Sequence, residues 1–353
     1  MMTTQTTDFS GRSGDLVLIS VIIPAYNCGK NIKRTVDSII SSGLTDYEII
    51  IINDGSADNT AAVCNSLSSK YSFIKYSEQK NSGVSAARNK GISISTGEYI
   101  LFFDADDTAQ ENGFSECVDI IKNEKPDILV FGMSFNYYKN GKIYRSDKLV
   151  PAQAGTLNKT QIRAELESLY NTNSFSSACN KLFRKALISE NNILFNTDYF
   201  LMEDFLFSLE CLKVCENIYC LPKALYHYKQ SENEKNAFNR LKRIDDLCKY
   251  LLPFKKAIDE LAAEKENVLF NNFFFSLLYQ KMYYANIKEI KKLIEDLNAD
   301  TFFRGIKKDD VPARYISFLK DIEESRYLKI RLLNLKTQAR HKVAVLVKSL
   351  LRR

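Results

Sequence analysis

The first hundred residues alternate short, continuous apolar runs with stretches whose apolar residues recur at three- and four-residue steps. Residues 16–24 are such a run and predict a buried strand. A loop at 25–29 follows, then a helical pattern carried by Ile32, Val36, Ile39 and Ile40. Residues 47–52 repeat the strand signal and close in Asn53-Asp54-Gly55-Ser56, with a helix expected over 58–68. A strand over 73–77, a helix over 85–95 and a strand over 99–103 continue the series. Strand–helix alternation predicts a parallel sheet, and the ligands of open parallel sheets sit outside the carboxyl ends of the strands. The polar segments 24–27, 53–56 and 104–107 are therefore expected to share one crevice.

Further along, the pattern predicts a helix over 113–123, a strand over 127–133, a hairpin around Asn140-Gly141 and a helical stretch over 160–170. The segment 180–189, a helix over 204–215 and a strand-like run over 217–228 complete a first domain, with a boundary near 231–235. From Arg240 onward the pattern is helical, and Phe270, Phe273, Phe274, Leu277, Leu278, Lys281 and Tyr284 form a stripe. That stripe reads as a helix-packing core, with a groove for a lipid tail as the alternative. The expected organisation is a tail at 1–15, an α/β domain at 16–235, a helical region at 236–325 and a basic amphipathic helix at 326–353.

At 353 residues with 45% hydrophobic content, the chain has material for about two domains. The formal net charge of +6 is modest and gathers at the C-terminus, which argues against a nucleic-acid-binding face. Eight cysteines lie scattered in apolar segments with no Cys-x-x-Cys pair and only two histidines, so a zinc site is not indicated and a reduced, cytoplasmic setting is favoured. Cys211 and Cys215, at helical spacing, read as core. The tail lacks the apolar stretch of a secretory signal, and no run reaches the roughly 18 apolar residues that cross a bilayer.

Beyond Glu324 there is no acid, and Leu328, Leu332, Leu335, Ala339, Val343, Leu346 and Leu350 form an apolar stripe among eight surrounding Lys and Arg. A basic amphipathic helix of this kind fits an anionic membrane surface, while an oligomer-forming or simply solvated helix is the competing reading.

The most informative stretch is the aromatic strand pattern ending in Asp104, Asp106 and Asp107. A strand interior cannot carry three anions, so these acids belong where the chain leaves the sheet, beside a metal, a sugar hydroxyl or water. The same residues with Thr108 fit the Asp-x-Asp-x-Thr pattern of haloacid-dehalogenase-type phosphatases, with Asp104 as nucleophile beside Mg²⁺. A hydrolase pairing Asp106 with Asp204 is chemically open as well.

Five segments separate these readings. Pro24-Ala25-Tyr26-Asn27, the stretch from Asn53 to Thr60, the stretch from Asn81 to Gly91, Asp104-Ala105-Asp106-Asp107 and Glu203-Asp204 resemble, in order and spacing, the inverting family 2 glycosyltransferases of GT-A fold. The resemblance covers about 19–231, and nothing in 240–353 is specific to it. It implies a GT-A (Rossmann-like), mostly parallel sheet flanked by helices, with a smaller all-helical C-terminal region. It also implies a divalent metal, Mg²⁺ or Mn²⁺, and transfer of one sugar from a nucleotide-sugar, a UDP-sugar first, to a sugar or lipid-linked saccharide acceptor. Capsule, exopolysaccharide or O-antigen assembly at the inner face of the membrane is the expected setting, and a non-catalytic nucleotide-sugar-binding partner of another transferase is the alternative.

Roles follow from the resemblance and from side-chain chemistry together. Asp54 is expected to accept the imide N–H of uracil, with Pro24 and Tyr26 flanking the base and Asn81 shaping the pocket. Arg88 is expected at the nucleotide, or in an organising salt bridge with Asp54 or Asp104. The resemblance puts Asp104 near the ribose and Asp106 on the metal, leaving Asp107 to cap the following helix. Asp204 is the expected general base, with Glu203 beside it. Asn180-Lys181-Leu182 is similar to the family's Trp-Asn-Lys-Leu, with Cys179 in place of Trp, and Asn180 and Lys181, like Glu203, are expected to meet the acceptor or to support the site. Tyr226-His227-Tyr228-Lys229 is similar to Tyr-x-Tyr-Arg, which would put Lys229 at the diphosphate. The absence of tryptophan excludes the Gln-x-x-Arg-Trp signature of processive synthases and favours single-sugar transfer.

Overall fold

The computed structural model describes residues 17–172, 174, 176–199 and 202–231, and, further on, 253, 255–258, 260, 261, 271, 274, 275, 278, 279, 282, 287–299, 313–326 and 330. The chain divides into two compact units, Met1–Glu232 and Asn233–Arg353.

The apolar runs become β1 (Ile19–Ala25), β2 (Tyr47–Asp54), β3 (Ile74–Gln79) and β4 (Tyr99–Phe102), alternating with α1 (Ile32–Ile40), α2 (Thr60–Lys70) and α3 (Val84–Ile94). β1 pairs in parallel with β2 and β4, and β2 with β3. Every residue of β2 and β4 is buried, as expected of parallel strands covered on both faces. α3 lies close against β1 because Gly91 carries no side chain: a Cβ there would meet Ile22 Cγ2 at 2.3 Å. That proximity brings Arg88, one turn earlier on α3, to the end of the sheet.

The second half of the sheet departs from the parallel pattern. β9 (Lys181–Arg184) runs antiparallel to both β4 and β6 (Ile128–Lys139), and β6 pairs in parallel with β10 (Asn217–Ser231). β5 (Thr108–Ala109) and β8 (Gly155–Asn158) add to β10 in antiparallel fashion, and β7 (Lys142–Leu149) adds to β6. The strand expected over 127–133 continues to Lys139 because Asn140 and Gly141, at φ 51° and 75°, supply the two left-handed residues of a tight hairpin turn. The helical stretch expected over 160–170 is two short helices, α5 (Lys159–Ala164) and α6 (Leu166–Asn171), separated at Glu165.

α4 (Ser115–Asn123), α7 (Lys185–Glu190) and α8 (Glu203–Val214) complete this unit. An aromatic cluster fixes α8 against the sheet: Phe195 stacks on Phe207 at 4.0 Å, and Phe102 at the end of β4 meets both rings edge-on at 5.0 and 5.5 Å. Contacts of this kind bury large apolar area and hold geometry tightly, so the first turn of α8 stands over the end of β4. Cys211 and Cys215 are core residues of this layer, and all seven described cysteines are buried and unpaired.

In the second unit, α9 (Ile287–Ala299) buries Ile290, Leu293, Ile294 and Leu297, and α10 (Ala313–Glu323) buries Phe318, Leu319 and Ile322. Phe274 and Leu278 of the aromatic stripe are buried, and Tyr279 packs on Phe318 at 5.4 Å. Phe270, Phe273, Leu277, Lys281 and Tyr284 lie outside the described residues, as do the tail at 1–15 and, Arg326 and Ile330 excepted, the basic segment 326–353. Among the described residues no helix is long and apolar enough to cross a membrane.

Candidate active site

The strand ends meet in one cleft of about 470 Å³, lined by Pro24 at the end of β1 and Tyr26 just after it, Asp54 at the end of β2, Asn81 and Gly83 before α3, and Asp104 and Asp106 after β4. Asn27, in the left-handed region at φ 49°, ties two of these loops together: its Oδ1 accepts from Ala57 N at 2.9 Å, and its own N–H donates to Ser56 Oγ at 3.0 Å. Tyr26 is 54% exposed and offers an open aromatic face at the mouth.

Asp54 is buried and organises its neighbours. Its Oδ1 accepts from Ser82 N and Gln79 Nε2, both at 2.8 Å, and its Oδ2 accepts from Gly83 N at 2.8 Å. The expected alternative of an Asp54–Arg88 bridge is therefore not what forms; the Asp54 carboxylate goes to backbone donors of the Ser82–Gly83 loop, and Arg88 turns the other way. Oδ1 thus carries two donors, while Oδ2 carries one and keeps lone-pair capacity for a further donor.

The acidic turn after β4 is held from behind by α1. Thr35 Oγ1 donates to Ala105 O at 2.9 Å and Asp107 O at 2.8 Å, and Arg34 Nη2 donates to Asp106 O at 2.6 Å. Neither residue was singled out in sequence, although Thr35 carries a signal: it is a hydroxyl on the buried stripe that Ile32, Val36 and Ile39 otherwise share.

Asp107 does not cap a helix, since the next one begins only at Ser115. Instead its carboxylate is buried and accepts from Tyr226 Oη at 2.6 Å and Lys229 N at 2.8 Å. Burial, and then the nearby Asp104 charge, push it up to about 8. Asp106, by contrast, has no hydrogen bond or ion pair to its carboxylate among the described residues.

Arg88 is the electrostatic centre. It is 3% exposed, and its guanidinium reaches Asp104 Oδ1 from Nη2 at 3.1 Å and Glu203 Oε1 from Nη1 at 3.5 Å, while Nη1 also pairs with Asp204 Oδ1. Phe195 lies 5.1 Å from the guanidinium carbon. Burial opposes this charge, but Asp204 and Asp104 outweigh it and hold the guanidinium protonated. One planar cation thus joins the turn after β4 to the first turn of α8.

Asp204 occupies that first turn, where the helix N-terminus favours an anion. Its Oδ2 accepts from Ala178 N at 3.3 Å. Burial raises its pKa, with Arg88 opposing. Burial and the Asp204 charge push Glu203 up to about 7.

Asn180 and Lys181 stand behind this group rather than on the cleft wall. Lys181 is fully buried, donates to Asn180 Oδ1 at 2.8 Å and to Ser177 O, and is pulled down to about 7 by that burial. Asn180 Nδ2 donates to Phe131 O at 3.0 Å. Together they fix the 177–179 segment from which Ala178 N reaches Asp204.

Lys229 contributes its peptide N–H, and its Nζ lies 6.0 Å from the Tyr138 ring centre, away from the cleft-lining set. Both ring nitrogens of His227 are engaged, Nδ1 with Asn136 Nδ2 at 3.2 Å and Nε2 with Gln110 Oε1 at 3.0 Å, in keeping with a structural histidine.

A hard divalent cation such as Mg²⁺ is held by one or two carboxylates together with substrate phosphates and water. The free Asp106 carboxylate beside Asp104 fits that donor set. Among the described residues no group of three His, Cys, Asp or Glu side chains is placed to hold an ion by itself, so the phosphates would have to complete the shell.

Comparison with known proteins places these features in context. Residues 20–191 match Glycosyl transferase family 2. The chain is 29% identical over 246 residues to "Uncharacterized glycosyltransferase EpsJ" of Bacillus subtilis, covering 69% of this chain and 66% of that protein. It is 30% identical over 227 residues to the poly(ribitol-phosphate) β-N-acetylglucosaminyltransferase TarP of Staphylococcus aureus, covering 63% of this chain and 65% of TarP. The chain thus spans less than two thirds of these curated relatives. Crystal structures of S. aureus TarS 1–349 with UDP and with UDP-GlcNAc superpose at TM-score 0.66, each at 18% identity and covering 91% of this chain and 92% of the other. The shared architecture is the GT-A fold.

Proposed function

Through residues 20–191 the chain belongs to Glycosyl transferase family 2, and from that premise we propose that it moves one sugar from a UDP-sugar to an acceptor hydroxyl in cell-surface polysaccharide assembly. The observation that carries the reading is the Arg88 bridge, which sets the donor-side acid Asp104 and the carboxylate of Asp204 on one guanidinium beside a cleft that also holds the Asp106 carboxylate, which has no hydrogen bond or ion pair among the described residues. Relatives named as a poly(ribitol-phosphate) β-N-acetylglucosaminyltransferase and a hyaluronan synthase, and TarS structures in complex with UDP and with UDP-GlcNAc, support the donor and acceptor classes.

In this reading Tyr26 and Pro24 pack against the uracil ring, Asp54 accepts its imide N–H, and Asn81 closes the base pocket. Asp106, with Asp104 beside it, holds a divalent ion, which supplies neutralising charge to the departing diphosphate when bound. Asp204 takes the acceptor proton on its carboxylate, whose two oxygens each hold one donor, Arg88 on Oδ1 and Ala178 N on Oδ2. The acceptor oxygen then bonds to the anomeric carbon from the face opposite the diphosphate, which leaves with the electron pair of the broken bond. Inversion is carried over from the family. Asn180 and Lys181 keep the 177–179 segment in register with Asp204, and Lys229 reaches the diphosphate only by leaving Tyr138.

The test is hydrolysis of UDP-, GDP- and dTDP-sugars with Mn²⁺, Mg²⁺ or EDTA. Slow, metal-dependent release of UDP is expected; phosphate release from a generic phosphoester, with no response to any nucleotide-sugar, would instead favour phosphatase chemistry at Asp104.

The pH profile gives a separate expectation. Asp204 must be ionised to act as base, and burial raises its pKa. Activity is therefore lost as pH falls through a value above the ordinary aspartate pKa of about 4. Glu203, pushed up to about 7, is already protonated over that limb, so Glu203→Gln should leave the acid limb of kcat/KM where it is. A shift of the limb contradicts this assignment.

A further inference from the structure

We propose that Tyr226 and Asp107 form a clasp that aims the 104–106 turn, making Tyr226 a positioning residue for transfer; this rests on the reading of Asp104 and Asp106 given above. The Tyr226 hydroxyl lies between two points of the turn, donating to Asp107 Oδ2 at 2.6 Å and accepting from Asp104 N at 3.2 Å. The ring is fully buried, 4.6 Å from Phe103. Three residues on, the same strand donates Lys229 N to the other Asp107 oxygen at 2.8 Å. Thr108 and Ala109 then pair with His227 and Tyr226 as β5 and β10. One strand thus grips the turn at its first residue, at its last and just beyond.

The carbonyl oxygens of the turn are occupied too. Asp104 O accepts from Asp107 N at 3.2 Å, and those of Ala105, Asp106 and Asp107 accept from Thr35 or Arg34. The Asp106 carboxylate makes no bond of its own among the described residues, so nothing but the backbone of the turn sets where it points. A carboxylate that must meet a metal and a diphosphate within a fraction of an ångström needs such a frame. Removing the Tyr226 hydroxyl leaves the Asp104 N–H and an Asp107 oxygen unpaired in a buried site, which is the costly kind of hydrogen-bond loss.

The test is calorimetric titration of UDP into the full chain, with Mn²⁺ and with EDTA, for wild type, Tyr226→Phe, Asp107→Asn and the double variant. In Mn²⁺ each single variant is expected to bind UDP about tenfold more weakly, while binding in EDTA stays within about twofold. The double variant is expected to be no weaker than the worse single, because both remove the same clasp. Equal loss with and without metal, or additive losses, would make Tyr226 a packing residue and overturn the proposal. Wild-type binding that does not depend on metal would bring down the underlying functional reading, whereas metal-dependent wild-type binding that Tyr226→Phe leaves intact would bring down the clasp alone.

Discussion

Asp204→Asn is expected to lower turnover by about 10²–10⁴-fold while leaving donor binding within a few-fold of wild type. The substitution keeps the shape of the side chain and an oxygen for Arg88 Nη1, and removes the charge that would take the acceptor proton. Arg88 retains Asp104 and Glu203 as counter-ions, at 3.1 and 3.5 Å, so the centre stays neutralised and the fold holds. The donor-facing groups, Tyr26, Asp54 and Asp106, line the cleft, whereas Asp204 stands behind it on Arg88. Turnover and UDP affinity measured side by side decide the point: loss of both together would make Asp204 an organising residue for the Arg88 centre and not a base.

Arg88→Ala is expected to have the largest combined effect, abolishing measurable transfer at neutral pH and costing about 3–5 kcal/mol of stability. Three carboxylates share this guanidinium, and without it Asp104, Glu203 and Asp204 repel one another with little solvent to screen them. Arg88 opposes the rise at Glu203 and Asp204, so without it both rise further and Asp204 is protonated where it should be accepting a proton. The stability loss has a definite pH dependence. An acid whose pKa is raised in the folded chain binds more protons folded than unfolded between the two values, so stability falls as pH rises through that window. The deficit of Arg88→Ala against wild type should therefore be small near pH 4 and grow toward pH 8. Urea unfolding at the two pH values reads it; a deficit independent of pH would mean that lost packing against Phe195 dominates.

The parts of this structure that local pattern encodes were legible in the sequence. β1, β2 and β4 are continuous apolar runs because both faces are covered, and the polar residues that close each run mark the end of the sheet where the cleft forms. The rest depends on pairings between distant positions that no local pattern reveals. β9 is only four residues long, and its place between β4 and β6 is set by its two partners. Asp107 sits in a run of acids that invites a reading as cap or ligand, yet its partner Tyr226 lies 119 positions away. Arg88 offered two plausible acidic partners in sequence, and the backbone N–H groups of Ser82 and Gly83 decided between them by occupying Asp54 first. Asn180 and Lys181 carry a recognisable pattern, but only the structure places them behind Asp204, reaching it through Ala178 N.

The most direct test of the nucleotide-sugar assignment is titration of UDP, GDP and dTDP into the intact chain with Mn²⁺ and with EDTA. Binding of UDP in preference to the other two, strengthened by Mn²⁺ about tenfold or more, is the predicted result. Absence of binding by any nucleoside diphosphate, with metal or without, would contradict it.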